Sequence, residues 1–397
     1  MKLDVVAESA VTVLRTPVVW FMAFAAALGT SSIYLLQPAI GEVAGALRVS
    51  TTAVGAALAC GPVGYVIGLA ALVPLVDRFR PRTVVSVQFA VLAVALAVCA
   101  VADSAWSLGA VVGLIGAGSS IGAQLSSVAG RFAQPHRRAT VLGIVTAGIS
   151  AGILTGRIVG GWLAGAMGWQ AMSLVFAAAC VVVGVAARFA LPAAPGTVTA
   201  SYLSSLRRMP ALYARYPVLR LAAGRGVLWF FAFCAIWAGL AVALSQPPFS
   251  FSPERIGLYA FAGLLGVVAT RIAGSATDRI GARRVILIGL ALAVLSTVIL
   301  AVSLSNTAIT LLCLGLFDAG LFAAQVANQS TVLAIDPAAP ARFNSAYMIV
   351  YFVGGSLGTA FGAAAVGWFG WATTALLAAA AVIVAAFVTG ATARTVR

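Results

Sequence analysis

Sorted into apolar and polar positions, the chain alternates long apolar runs with short polar breaks. Each run is about the 20 residues that a helix needs to cross a bilayer. Twelve are delimited by charge and turn clusters: roughly 17–40, 51–75, 83–102, 106–130, 139–166 and 170–190, then 219–245, 254–276, 285–303, 307–335, 343–366 and 372–391. The first run is too long for a signal-peptide core and reads as a retained span. The pattern predicts an all-α integral membrane protein with twelve transmembrane helices.

Two of the polar breaks are versions of one sequence. GSATDRIGARR at 274–284 repeats VPLVDRFRPRT at 73–83, pairing Asp77 with Asp278, Arg78 with Arg279 and Arg82 with Arg283 at a constant offset of 201. Both knots follow the second run of their half. The chain therefore reads as two copies of a six-span unit, 1–190 and 219–397. Between them lies a polar segment, 191–218. There Leu203, Leu206, Leu212 and Tyr213, interleaved with Arg207, Arg208 and Arg215, predict a short basic amphipathic helix on the inner leaflet.

Charge gives the expected orientation. Charged residues are 8% of the chain and hydrophobic ones 62%, far from the roughly 25% charged of a soluble domain. The net +15 is a matter of position, not of nucleic acid. With both termini cytoplasmic, every one of the 24 basic residues except Arg48, Arg157 and Arg255 falls on the cytoplasmic side or at cytoplasmic span ends. Both knots then face the cytoplasm, and the expected location is a bacterial inner membrane. Cys60, Cys99, Cys180, Cys234 and Cys313 are scattered singly in apolar runs, which predicts packing residues with no metal site.

Two six-span halves, a basic linker and a DR knot after the second and eighth spans resemble the major facilitator superfamily of secondary transporters. Gly274, Asp278, Arg279, Gly281, Arg283 and Arg284 match its loop signature throughout, whereas Val73 and Arg80 replace the glycines of the first copy. The resemblance implies two pseudo-symmetric six-helix bundles, with the knot residues, Asp77, Arg78 and Arg82 included, latching the cytoplasmic side. Gly148, Gly152, Gly156, Gly160 and Gly161 stand at the spacing found in the fifth span of the twelve-helix drug:proton antiporter branch, and independently predict close helix packing. Arg157 stands where that branch has Pro, and its usual fourth-span Arg is missing, so the branch's proton relay does not carry over.

Intramembrane charge is the most selective functional signal, because a charge at bilayer centre costs at least about 2.5–3.5 kcal/mol. Arg157 and Asp318 bear it, at similar expected depth in spans of opposite halves. Three readings stand: Asp318 as a protonation site coupled to Arg157, Arg157 as a site for an anionic group, or a permanent structural pair. The expected substrate cavity draws on Tyr34, Gln37, Tyr65, Gln124, Trp237, Gln325, Asn328, Asn344, Tyr347 and Tyr351.

No HExxH, GxSxG or paired-carboxylate constellation points to an enzyme, and no phosphate-binding GxxxxGK[ST] loop points to ATP. The reading is a monomeric secondary active transporter without cofactor, driven by a proton gradient and exporting a small organic molecule by antiport. Proton-coupled or facilitated uptake of a metabolite or organic anion is the alternative, and a non-transporting receptor on the same fold is the alternative of another class.

Overall fold

The structure is a computed structural model; it describes residues 14–134, 137–194, 209–336 and 340–391. Every regular element among them is helical. Among the described residues nine helices are long and apolar enough to cross a membrane, and two of these, Arg138–Ala190 and Pro340–Ala391, are 53 and 52 residues long. Each long helix is broken at one glycine with left-handed φ, Gly168 at 85° and Gly370 at 76°, so each is two antiparallel spans joined by a single residue. A side chain there would meet the steric penalty of positive φ, which glycine escapes. The first span is missed by length alone: Thr16–Ser31 is helical, residues 32–39 turn, and Ile40–Leu47 resumes the helix. Twelve spans result.

The turn in the first span follows from its sequence. Ser31 and Ser32 both donate their hydroxyls to Leu28 O, and Pro38 deprives the following turn of a donor. Gln37 consequently lies in an irregular stretch, at the level where the fifth span passes.

Packing within each half rests on glycine stripes. A Cβ added at Gly148, Gly152, Gly156 or Gly160 would lie 2.2–2.8 Å from a carbonyl oxygen of the first span, at Ala23, Ala27, Ser31 and Leu35. Gly354, Gly358 and Gly362 do the same for the eleventh span against Val227, Phe231 and Ala235 of the seventh, at 2.2 Å each. Gly152, Gly156, Gly160 and the joint Gly168 are each 202 residues before Gly354, Gly358, Gly362 and Gly370. In lipid, where no hydrophobic force drives helices together, this backbone approach supplies the van der Waals contact that does. The two bundles are thus built by the same device.

The halves meet along the second and eleventh spans and along the fifth and eighth. Their seam is sealed at the end away from the knots. There a Cβ at Gly55 would lie 2.0 Å from Ala363 Cβ, one at Gly161 2.4 Å from Pro253 O, and one at Gly41 2.7 Å from Ser245 Cβ. Gln246 Nε2 donates to Thr51 Oγ1 at 3.3 Å and Ser356 Oγ to Ala59 O at 2.6 Å across the same seam. Towards the knots the contacts between the halves thin out among the described residues. The fifth span packs chiefly on Pro253–Gly263, not on the Leu264–Ile280 part of the eighth span. Gly130, Gly143, Gly224, Gly274 and Gly281 at the knot end face open space, as do Gly45 and Gly370 at the other end.

The short helix Met209–Arg215 buries Leu212, and the Tyr213 hydroxyl donates to Ala346 O of the eleventh span. The linker is thereby tied to the second half. Leu203, Leu206, Arg207 and Arg208 lie outside the described residues.

Candidate functional site

Arg157 and Asp318 are 3% and 1% exposed, and the structure brings them into one cluster without a direct ion pair. Trp237 lies against both. The guanidinium stacks on its ring at 4.3 Å from the centroid, and the indole Nε1 donates to Asp318 Oδ1 at 3.1 Å. Arg157 Nε donates to Gln37 Oε1 at 2.7 Å, and the rings of Tyr34 and Phe233 complete its cage at 4.9 and 5.5 Å. A desolvated cation over aromatic faces is stabilised by about 2 kcal/mol or more, which offsets part of the burial penalty. Gly263 and Gly266 of the eighth span leave the room in which the Asp318 carboxylate sits, a Cβ at Gly263 falling 3.2 Å from Oδ2.

The cluster straddles the seam. Gln37, Tyr34 and Arg157 belong to the first half; Phe233, Trp237 and Asp318 belong to the second. Beside it is a void of about 10 Å³ lined by Gln37, Pro38, Arg157, Trp237, Leu240, Ala241 and Ile256, about the space of one water. Parting the sealed end must separate Arg157 from the Trp237 face.

Nearer the knots, Tyr65 and Phe352 meet across the seam with ring centroids 4.5 Å apart. Tyr347 and Tyr351 share a face of the eleventh span, centroids 5.6 Å apart. Asn328 Nδ2 donates to Tyr347 Oη at 3.2 Å, whose hydroxyl in turn donates to Gln325 Oε1. Asn344 Oδ1 accepts from Gln329 Nε2 at 2.8 Å. Gln124 departs from its expected place in the cavity. It is fully buried inside the first half, with Nε2 donating to Leu72 O at 2.7 Å and Gln88 Oε1 at 2.6 Å, where it ties the second, third and fourth spans together.

One buried charge escaped the sequence reading. Arg225, taken there as a charge at a span end, is 9% exposed within the seventh span, so Arg157 and Asp318 are not alone in bearing the burial penalty. Its position eight residues inside the helix start, Pro217, was the available signal.

The two knots differ in backbone. Gly281 has φ 85° and ψ 147°, a conformation that calls for glycine, while Arg80 at the matching place has an ordinary extended φ of −66° and leads into Pro81 at the helix start. The first knot folds without glycine because its turn is of another kind. Asp77 Oδ1 accepts from Ser127 Oγ at 3.2 Å, and the Arg82 amide donates to Pro192 O at 3.3 Å. In the second, Arg283 donates to Thr389 O at 3.3 Å and Gly390 O at 2.9 Å, while Asp278, Arg279 and Arg284 are exposed.

The sequence profile of the Major Facilitator Superfamily matches residues 19–253, more than half of the chain. The chain belongs to this superfamily. Relatives extend over nearly its full length: YgaY of Escherichia coli O157:H7, named as an uncharacterized transporter, is 29% identical over 373 residues, 94% of each chain. SCO4007 of Streptomyces coelicolor, named as a probable transporter, is 30% identical over 362 residues, 90% of this chain and 84% of its own. Among solved structures, a bacterial homologue of the human lysosomal transporter Spinster in an inward-facing conformation superposes with a TM-score of 0.79 at 13% identity, covering 96% of this chain and 97% of that one. The nucleoside transporter NupG gives 0.76 at 14% identity, covering 94% and 98%. At such identities the structures establish the two-bundle superfamily fold. The chain is a multi-pass membrane transporter of the superfamily, and not an enzyme.

Proposed function

We propose that this transporter exports a small organic molecule in exchange for protons, with Asp318 as the protonation site and alternating access as the mechanism. The observation that carries the reading is the Arg157–Trp237–Asp318 cluster, which is buried, charged and shared between halves at the only sealed end of the described seam. With both termini cytoplasmic, the parted knot end faces the cytoplasm of a bacterial inner membrane. Deprotonated Asp318 then holds Trp237 and, through its field, Arg157, favouring the sealed outer end. A proton on Asp318 removes that attraction and biases the carrier towards the outward-open state, which links proton binding to the conformational equilibrium.

The test is counterflow by the purified protein in liposomes against a panel of lipophilic cations, sugars, nucleosides and aromatic carboxylates. Hits are then followed with the pH gradient imposed in either direction. Acceleration of efflux by inward-directed protons is expected. Exchange indifferent to the gradient sinks proton coupling, and no exchange with any probe favours the receptor reading. A second reading, proton-coupled movement of an organic anion, is favoured by one observation, the additional buried arginine at 225.

The knots fit a latch that engages when the halves close at the cytoplasmic end. The exposed Asp278 carboxylate makes no hydrogen bond in the present conformation among the described residues, so Asp278→Asn should leave the melting temperature unchanged while slowing turnover about fivefold or more. Asp77→Asn, whose partner Ser127 lies in its own half, should slow it less. Equal tolerance of both in the liposome assay reduces the knots to topological anchors.

A further inference from the structure

Among the described residues, Arg225 is the one buried cation with no carboxylate in its surroundings. Its Nε donates to Asn328 Oδ1 at 2.6 Å and its Nη2 reaches Thr331 Oγ1 at 3.5 Å; both acceptors are neutral. No carboxylate among the described residues contacts it. Nη1 has no partner among the described residues, yet it is not sealed from water. A guanidinium largely withdrawn from water without a counter-charge is held at a penalty, and neutral acceptors recover only part of it. Arg157 differs in having Asp318 within its cluster.

The surroundings hold Arg225 still. Asn328 is fixed by donating to Ala222 O at 3.0 Å and to Tyr347 Oη, and Tyr347 by donating to Gln325. Gly226, next to Arg225, makes room for the Tyr347 ring, for a Cβ there would lie 2.8 Å from the ring and its hydroxyl. The unused edge of a fixed, planar fork is the arrangement that recognises a carboxylate, sulfonate or phosphate. From this point a row of rings runs towards the outer end: Tyr347, Tyr351, Phe230, Phe233 and Trp237, with successive centroids 5.6, 4.0, 5.8 and 6.4 Å apart. Trp237 lies twelve residues beyond Arg225 on the same helix, about 18 Å along its axis. The row ends on Arg157, whose charge Asp318 already balances.

We propose that Arg225 is an anion-coordinating subsite of the transport pathway, and that the substrate class is an organic anion whose aromatic or apolar body lies along this row. The proposal rests on the transporter reading for the purpose of the site, but binding tests it without transport. Purified protein in detergent is titrated with 2-naphthoate, naphthalene-2-sulfonate, 2-naphthyl phosphate and neutral 2-naphthamide, binding being followed by thermal shift and by tryptophan fluorescence. At least one anion is expected to bind about tenfold more tightly than the amide, a preference of the size that one charge-assisted hydrogen bond supports.

Arg225→Gln should abolish that preference while leaving amide binding unchanged, and, with the uncompensated charge gone, should melt no lower than the wild type. Arg225→Lys, which keeps charge but loses the fork, should fall between. Equal binding of anions and amide, an anion preference that survives Arg225→Gln, or no Arg225-dependent binding of any anion overturns the subsite. Should dihexanoyl-phosphatidylglycerol alone show dependence on Arg225, the occupant is a lipid phosphate and the substrate proposal fails. A wild type that binds naphthoate through Arg225 but exchanges nothing in liposomes refutes the transporter reading and leaves the subsite standing; exchange that persists unchanged in Arg225→Gln does the reverse.

Discussion

Proteoliposomes carrying Asp318→Asn should lose at least about nine-tenths of their gradient-driven flux while retaining exchange at equal pH, a change of about 1.4 kcal/mol or more in the driven step. The asparagine is isosteric and still accepts from Trp237 Nε1, so the fold and the cage around Arg157 should survive. What disappears is the group able to take up and release a proton at the seam. Trp237→Phe separates the two roles of the indole: the phenyl ring still faces Arg157, but the hydrogen bond to the Asp318 carboxylate, worth about 1.5–3 kcal/mol, is gone. It should therefore shift the pH dependence of flux without abolishing it. Full gradient-driven flux in Asp318→Asn, measured with any probe that the wild type exchanges, would remove this residue from the coupling mechanism.

Gly55→Leu is the second large effect. Since even a Cβ at residue 55 would fall 2.0 Å from Ala363 Cβ, the three further carbons of leucine cannot be accommodated while the second and eleventh spans touch. The sealed end should be wedged apart, favouring the conformation that opens away from the knots. Overpacking of this kind costs about 1–3 kcal/mol in the state that must accommodate it, which suffices to shift a two-state equilibrium about five- to 150-fold. Distances between spin labels placed on the outer ends of the two halves should lengthen, and turnover should fall at least tenfold although the protein still inserts and purifies. Unchanged distances would mean that the seam relaxes locally and is not the moving joint. Gly143→Leu, at a glycine that faces open space at the knot end, is the control.

The architecture was legible because the bilayer enforces it: runs of about 20 apolar residues, with charge excluded from them, mark spans whatever their partners. The joints were less legible. Gly168 and Gly370, each followed by Trp, form a repeat as clear as the two knots, but a single glycine among 41 attracts no notice until its φ is known. The second glycine stripe, Gly354, Gly358 and Gly362, escaped for the same reason, although it lies 202 residues after the first. At the site, intramembrane charge singled out Arg157 and Asp318, and polar type singled out Trp237, yet nothing in their spacing showed that the indole would stand between the two charges. Gln124 misled because a polar side chain inside a span serves helix association as readily as a ligand, and its bonds to Leu72 and Gln88 show which. Arg225 was masked by its nearness to a helix start, since long arginines near span ends ordinarily extend to the interface, whereas this one turns inward to Asn328.

The one-residue joints carry a mechanical corollary. With no loop to absorb slack, the fifth span cannot tilt without carrying the sixth, nor the eleventh without the twelfth. Each pair behaves as a stiff fork hinged at its prongs' common base, Gly168 or Gly370. Because one prong of each fork forms the seam and the other packs against the rest of its own bundle, a displacement begun at Arg157 has a direct covalent route to the far wall of that bundle.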